Sequence, residues 1–166
     1  FHIAAGSFFM ALAASPGLTD ALGRSNDFKR IREWPATAAA VEARAEALGV
    51  SSIAFDNRND FHQSQRYGAG IDADLYMWLR QAGPENFAEA TWPLTSEVTG
   101  PILIVSERHG ESPVIEADFA SFEEAGDIRI DLGGGIERHY SLFLAQGYEQ
   151  AERTEAFENT VAQPRF

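Results

Sequence analysis

No cysteine occurs among the 166 residues. That excludes disulfides, thiolate metal centres and cysteine nucleophiles. It leaves the compartment open, because a chain of this length folds without disulfides on either side of a membrane. Basic residues are scarce: 13 Lys and Arg stand against 25 Asp and Glu, a formal net charge of -12. A general nucleic-acid binder needs a basic footprint to displace counterions, so no nucleic-acid partner is expected. The same charge disfavours adsorption of the domain body to anionic lipid. No apolar run reaches the roughly 20 residues that span a bilayer. The chain opens on Phe1, without Met and without the basic n-region of a signal peptide, and it reads as a stretch of a longer chain. HExxH and GxSxG patterns are both missing, which removes the sequence signals for a metalloprotease and for a hydrolase elbow at Ser106.

What is present is ordinary globular composition, 45% hydrophobic and 23% charged, in a length that suits one domain. Residues 1–22 form an apolar lead-in, residues 23–148 a soluble α/β domain, and residues 149–166 a polar tail expected to fray. Phe1 to Ala14 carries no charge if His2 is neutral. Two readings stay open for it: a helix packed on the domain's own core, or the end of a transmembrane helix. Arg24, Lys29, Arg30 and Arg32 follow; beside a membrane such a cluster favours the cytoplasmic side.

The spacing predicts a helix over 34–48, with Ala38, Val41, Ala45 and Leu48 on one face and Gly49 as its stop. Val50 to Phe55 reads as a buried strand. A polar loop follows, with Asn59 or Asp60 capping a helix that runs to Tyr67 and Gly68. Asp74 to Leu79 and Ile102 to Ser106 read as further strands, 83–99 as irregular, and Pro113 to Phe119 as a short helix. Residues 121–132 and 136–146 alternate apolar and polar positions about Gly133-Gly134-Gly135, a β-hairpin rather than a phosphate loop. The fold class expected is α/β: a small mixed sheet with a Rossmann-like parallel part and a C-terminal antiparallel hairpin, helices packed on it.

Ligands of α/β sheets gather beyond the C-terminal ends of the parallel strands. Asp56, Asn57 and Arg58 occupy one such end, Glu107 and Arg108 another. Arg58 suits a phosphate or carboxylate; the alternative is that Asp56 pairs with Arg58 or caps the helix. His62, His109 and His139 are too scattered to signal a zinc site, and residues 56–60 lack the Gly and Glu of a calcium loop.

Several motifs in order carry a resemblance. They are Arg32-Glu33-Trp34 before an alanine-rich helix, IAFDNR at 53–58, QRYG at 65–68, YMW at 76–78, Asn86-Phe87, GPILIVSE at 100–107 and GGGIERHYSLFLAQGY at 133–148. From about Phe28 to Tyr148 the series resembles the soluble C-terminal domain of bacterial membrane glycosyltransferases of family 39, related to dolichyl-phosphate-mannose protein mannosyltransferases and to the aminoarabinose transferase of lipid A. The resemblance implies a parent chain with many transmembrane helices that passes a sugar from a polyprenyl-phosphate carrier to a protein, lipid or glycan acceptor. It implies that the catalytic carboxylate lies far upstream, that this stretch is non-catalytic, and that it sits on the periplasmic side of the bacterial inner membrane against its own transmembrane domain. The family positions matched are Asp56, Arg58, Tyr67, Asn86 and Phe87, giving a substrate-binding set of Asp56, Asn57, Arg58, Tyr67 and Asn86. Gly68 stands where the family has a second aromatic residue. No cofactor is expected in this stretch, and whether the parent uses a divalent metal stays open. Two other readings are a partner-binding α/β module of a different membrane protein and a small α/β enzyme acting on a phosphorylated metabolite.

Overall fold

The two most continuous apolar strands, β1 (Ser52–Phe55) and β3 (Ile102–Ser106), lie side by side and parallel in the middle of the sheet. Both are buried along their whole length, as strands covered on both faces must be. The computed structural model describes residues 2–23, 30–68, 70, 72–154 and 157. β2 (Asp74–Met77) adds in parallel outside β1, and β5 (Glu137–Tyr148) adds antiparallel to β3. β4 (Phe119–Asp131) closes the other edge against β5, so the sheet order is β2-β1-β3-β5-β4. The mixed α/β sheet expected from the sequence is therefore present, parallel on one side and a hairpin on the other.

Period-two alternation divides the side chains between two cores. On one face Ile53, Phe55, Leu103, Val105, Tyr140 and Leu142 meet Val41 and Ala45 of α3 (Trp34–Leu48) and Phe61 of α4 (Arg58–Tyr67). On the other, Ala54, Ile102, Ile104, Phe143 and Ala145 meet Trp78, Leu94 and Ile115, the last from α6 (Ser112–Glu116). Each large side chain buried this completely stabilises the fold by roughly 1.5–3 kcal/mol. Gly49, at φ 66°, ends α3 as expected, and its backbone N–H bonds back to Glu46. Gly133, Gly134 and Gly135, all at positive φ, turn the hairpin.

Four expectations need correction. The cap of α4 is Asn57, not Asn59 or Asp60: its Oδ1 accepts from the Asn59 N–H at 2.8 Å, so the helix begins at Arg58. The stretch 83–99 is not wholly irregular, because Asn86 caps the short helix α5 (Phe87–Thr91). Fraying does not begin at Glu149. The Gln150 side chain donates to the Leu79 and Gln81 carbonyls, and Arg153 is fixed to Asp118. Of the basic cluster, Arg24 and Lys29 lie outside the described residues, as does most of 155–166. Arg32 is not a surface charge: it is buried, and its Nη1 donates to Asp20 and to the Leu132 carbonyl, both at 2.9 Å.

The apolar lead-in forms α1 (His2–Ala14) and, after Ser15, α2 (Pro16–Ala21). α1 does not pack on the domain core, which removes the first of its two readings. Ile3, Phe8, Phe9 and Met10 are 87%, 53%, 62% and 72% exposed, and the helix has no polar face to turn outward. Among the described residues no helix is long and apolar enough to cross a membrane.

Candidate functional site

Because β1 and β3 are parallel, residues 56–58 and 107–109 leave the sheet at the same edge. β5 runs the other way, with Ser141 opposite Ser106, so Glu137, Arg138 and His139 enter at that edge too. α4 starts there, and Trp34 opens α3 beside it. These elements enclose a cleft of about 690 Å³ lined by Arg30, Trp34, Asn57, Arg58, Asn59, Asp60, Glu107, His109, Leu132, Glu137, Arg138 and His139. The volume is within the range of small-molecule sites. A second hollow of about 390 Å³ lies on the other side of Asn57 and Arg58, bounded by Asp56, Glu85, Asn86, Glu89 and Arg108.

Asp56 does not face either opening as a free carboxylate. It is 5% exposed, and it turns toward β3. The Ser106 hydroxyl donates to it at 2.6 Å, and the backbone N–H groups of Glu107 and Arg108 donate at 3.1 and 3.3 Å. Burial pushes its pKa up, against these hydrogen bonds and the Arg108 charge. Its partner is thus neither Arg58 nor the helix end. Asp56 clamps the two strand ends together and shapes the rim. Asn57 completes the clamp, its Nδ2 donating to Glu107 Oε2 at 2.6 Å.

Arg58 stands on the ridge shared by both openings. Its side chain is exposed and makes no hydrogen bond or ion pair among the described residues. A guanidinium held at a strand-end cleft without a partner presents all of its donors to a ligand. Asn86 borders the smaller hollow, but its side chain is occupied. Oδ1 accepts from the Glu89 N–H at 3.1 Å and Nδ2 donates to Glu89 Oε1 at 2.7 Å. Tyr67 is not brought to the site. It ends α4, about 14 Å along the helix axis from Arg58, with the Arg66 guanidinium 5.4 Å from its ring.

The structure supplies residues that the sequence reading missed. Asp60 lines the cleft wall at 4% exposure. Its Oδ2 is enclosed, and the Tyr140 hydroxyl lies beside the carboxyl. Burial pushes the Asp60 pKa up to about 7. The charges of Glu107 and Asp56 add to this, while the Tyr140 hydroxyl and the Arg138 charge pull the other way. Burial and the neighbouring Asp60 also push the Tyr140 hydroxyl far up. Arg138 is buried over the Trp34 ring at 3.7 Å and donates to the Arg32 carbonyl and to Thr37 Oγ1. His109 and His139 stack with ring centroids 4.1 Å apart. Burial and the neighbouring His139 push the His109 pKa down, against Asp127 and Glu107. His62 is elsewhere, packed on Phe61 and Trp92. Among the described residues no three potential ligands converge on a metal position.

The alternation of β5 contained one signal for this set. Arg138, Tyr140 and Leu142 share a phase, so a charge enters the buried face. In α4, Asp60 lies four residues before Ser64, and both face inward. Compared with family models, curated proteins and solved structures, the chain matches none, so geometry and sequence pattern carry the functional argument.

Proposed function

We propose that this stretch is the non-catalytic, extracytoplasmic domain of a bacterial membrane glycosyltransferase that uses polyprenyl-phosphate-linked sugars, and that its strand-edge cleft holds the phosphate-bearing headgroup or the acceptor. The observation that carries this reading is Arg58. Among the described residues it is a cation with no hydrogen bond or ion pair, on the first turn of a helix, at the edge where α/β sheets collect ligands. Carboxylates, His109 and His139 around the cleft supply the directional partners that sugar hydroxyls need. The ordered motifs that resemble those of the family 39 enzymes point the same way. The smaller hollow is secondary, because Asp56 and Asn86 are already committed to the protein.

Arg58→Ala in the complete enzyme will lower sugar transfer about tenfold or more, the effect of losing one charge-assisted contact. The isolated chain will keep its unfolding midpoint, since the Arg58 side chain holds nothing in the fold. Unchanged transfer removes the site assignment.

α1 supports the membrane side of the proposal. A helix that is apolar all round needs an apolar surrounding, and here its own domain does not provide one. The full chain will co-sediment with neutral phosphatidylcholine vesicles, and Phe8→Asp with Met10→Asp will release it. Anionic lipid will not strengthen the association, because the net charge is -12. A chain that stays free of neutral vesicles counts against placement beside a bilayer.

One observation favours a second reading, a small enzyme acting on a phosphorylated metabolite. Asp60 has a pKa of about 7 in a cleft that also holds Arg58, a combination suited to acid–base chemistry. Turnover of a sugar phosphate by this chain alone decides for that reading.

A further inference from the structure

The lead-in helices meet the domain at the same edge as the cleft, through a joint of side chains. Asp20, in the last turn of α2, pairs with Arg32 Nη1 at 2.9 Å. The same Nη1 donates to the Leu132 carbonyl at 2.9 Å, in the turn between β4 and β5. Arg32 is nearly enclosed, its side chain 7% exposed. α2 comes close to the turn itself: a methyl group added at Gly133 would stand 2.8 Å from Asp20 Oδ2. Leu132 is also a wall of the cleft, and the Arg32 carbonyl accepts from Arg138, another cleft residue. Six residues separate Asp20 from Ala14 at the end of α1, on the order of 10 Å at helical rise. The apolar helix therefore begins its departure from the domain beside the cleft.

Ile3, Phe8, Phe9 and Met10 are each more than half exposed. At 3.6 residues per turn they point to about 0°, 140°, 240° and 340° around the helix axis. A groove on a protein partner, or a second copy, covers one side of such a helix. Hydrocarbon covers every side. The two ends of the sheet also differ in charge. The cleft edge sets Arg30, Arg58 and Arg138 among its acids. The hollow at the opposite end, about 370 Å³, is lined by Glu42, Glu46 and Asp72 and by no basic residue. An all-acidic end is the one that an anionic lipid surface repels.

We infer that the Asp20–Arg32–Leu132 joint turns the strand-edge cleft toward the bilayer surface that takes up α1. The inference rests on the membrane reading of α1 and adds a direction to it. The cleft opens at the level of the lipid headgroups, and the acidic end points into water. A phosphate carried on a lipid is then within reach of Arg58.

The chain contains no cysteine, so a single introduced thiol can be labelled selectively. Glu137→Cys marks the cleft edge and Thr99→Cys the opposite one; both positions are exposed. Ile102 is level with Ala145 on β5, which places the two labels roughly 25 Å apart along the strands. Each labelled full chain is bound to phosphatidylcholine vesicles with and without lipid that carries a nitroxide quencher on its headgroup. The fluorophore at 137 will be quenched about twofold or more and the one at 99 hardly at all, since most of the height of the sheet lies between them. Asp20→Ala opens the joint without altering α1. That variant will still bind the vesicles, while quenching at 137 falls toward the level at 99. Equal quenching at both positions, or stronger quenching at 99, overturns the inference, as does quenching at 137 that survives Asp20→Ala. These outcomes leave the membrane reading of α1 standing. A chain that stays off the vesicles removes that reading and the orientation together, and a dimer by light scattering then assigns α1 to a second copy.

Discussion

Asp118→Ala will cost the domain about 3–5 kcal/mol, the usual effect of breaking a buried ion pair from one side. Its carboxylate is fully enclosed, and the side chain of Arg153 is only 2% exposed. Arg153 Nη1 donates to Oδ1 at 2.7 Å and Nη2 to Oδ2 at 2.6 Å, a two-pronged pair. Trp78 Nε1 adds a bond to Oδ2 at 2.7 Å, and the Ala151 N–H one to Oδ1 at 2.8 Å. Arg153 also donates to the Leu79 carbonyl at 2.8 Å. Removing the carboxylate leaves a guanidinium, an indole N–H and a backbone N–H buried without their acceptor, and each is costly. Urea unfolding followed at the tryptophans measures the loss as a lower midpoint. Asp118→Leu combined with Arg153→Met will recover most of it, because an apolar pair no longer strands a charge. A cost below about 1 kcal/mol for the single variant would mean that 150–153 is detached in solution and that the pair does not hold.

That ion pair also shows where sequence reading reaches its limit. The elements were legible where one periodicity ruled a segment. The alanine-rich stretch gave α3 its bounds, Trp34–Leu48, and the apolar run gave β3 its bounds, Ile102–Ser106. The hairpin followed from alternation on both sides of three glycines. Gln150 and Arg153 read as tail because their partners, Leu79, Gln81 and Asp118, are 35 to 74 positions away, and no local pattern announces such a bond. α1 was ambiguous for a different reason. Composition says that a helix is apolar, but only packing says whether its own domain covers it.

The site divides in the same way. The strand-end rule located the right edge from the sequence, and Arg58 stands there. It could not tell which polar groups at that edge are spent on the fold. Asp56 and Asn86 looked available and are committed, the first to Ser106 and two backbone N–H groups, the second to Glu89. Asp60 looked like a helix cap and is a buried wall residue, because the cap lies at Asn57 and one turn of phase decides which side chain points inward. Tyr67 shares a helix with Arg58 but lies at its other end.

Asp60 gives the second large effect. Its pKa is about 7 in the fold and 3.8 when the chain is open. Between these values the unfolded chain has already released the proton that the folded chain still holds. Stability therefore falls as pH rises through this window. The stabilisation is complete below about pH 4 and gone once pH exceeds about 7, a span of about 4 kcal/mol at 1.36 kcal/mol per unit. Asp56, also raised by burial, acts in the same direction. His109, lowered by burial, acts oppositely toward acid, where the open chain gains charge first. Comparison with Asp60→Asn isolates the one group: the variant lacks the titration and will be the more stable protein above about pH 7, by up to about 4 kcal/mol. Urea midpoints of both chains across this range give the difference directly. Parallel curves would mean that Asp60 is solvated or paired in solution. A gap that opens with rising pH means instead that the fold maintains a buried carboxyl at a cost to its own stability. Such a cost is characteristic of functional positions, where ligand contacts rather than folding account for the residue.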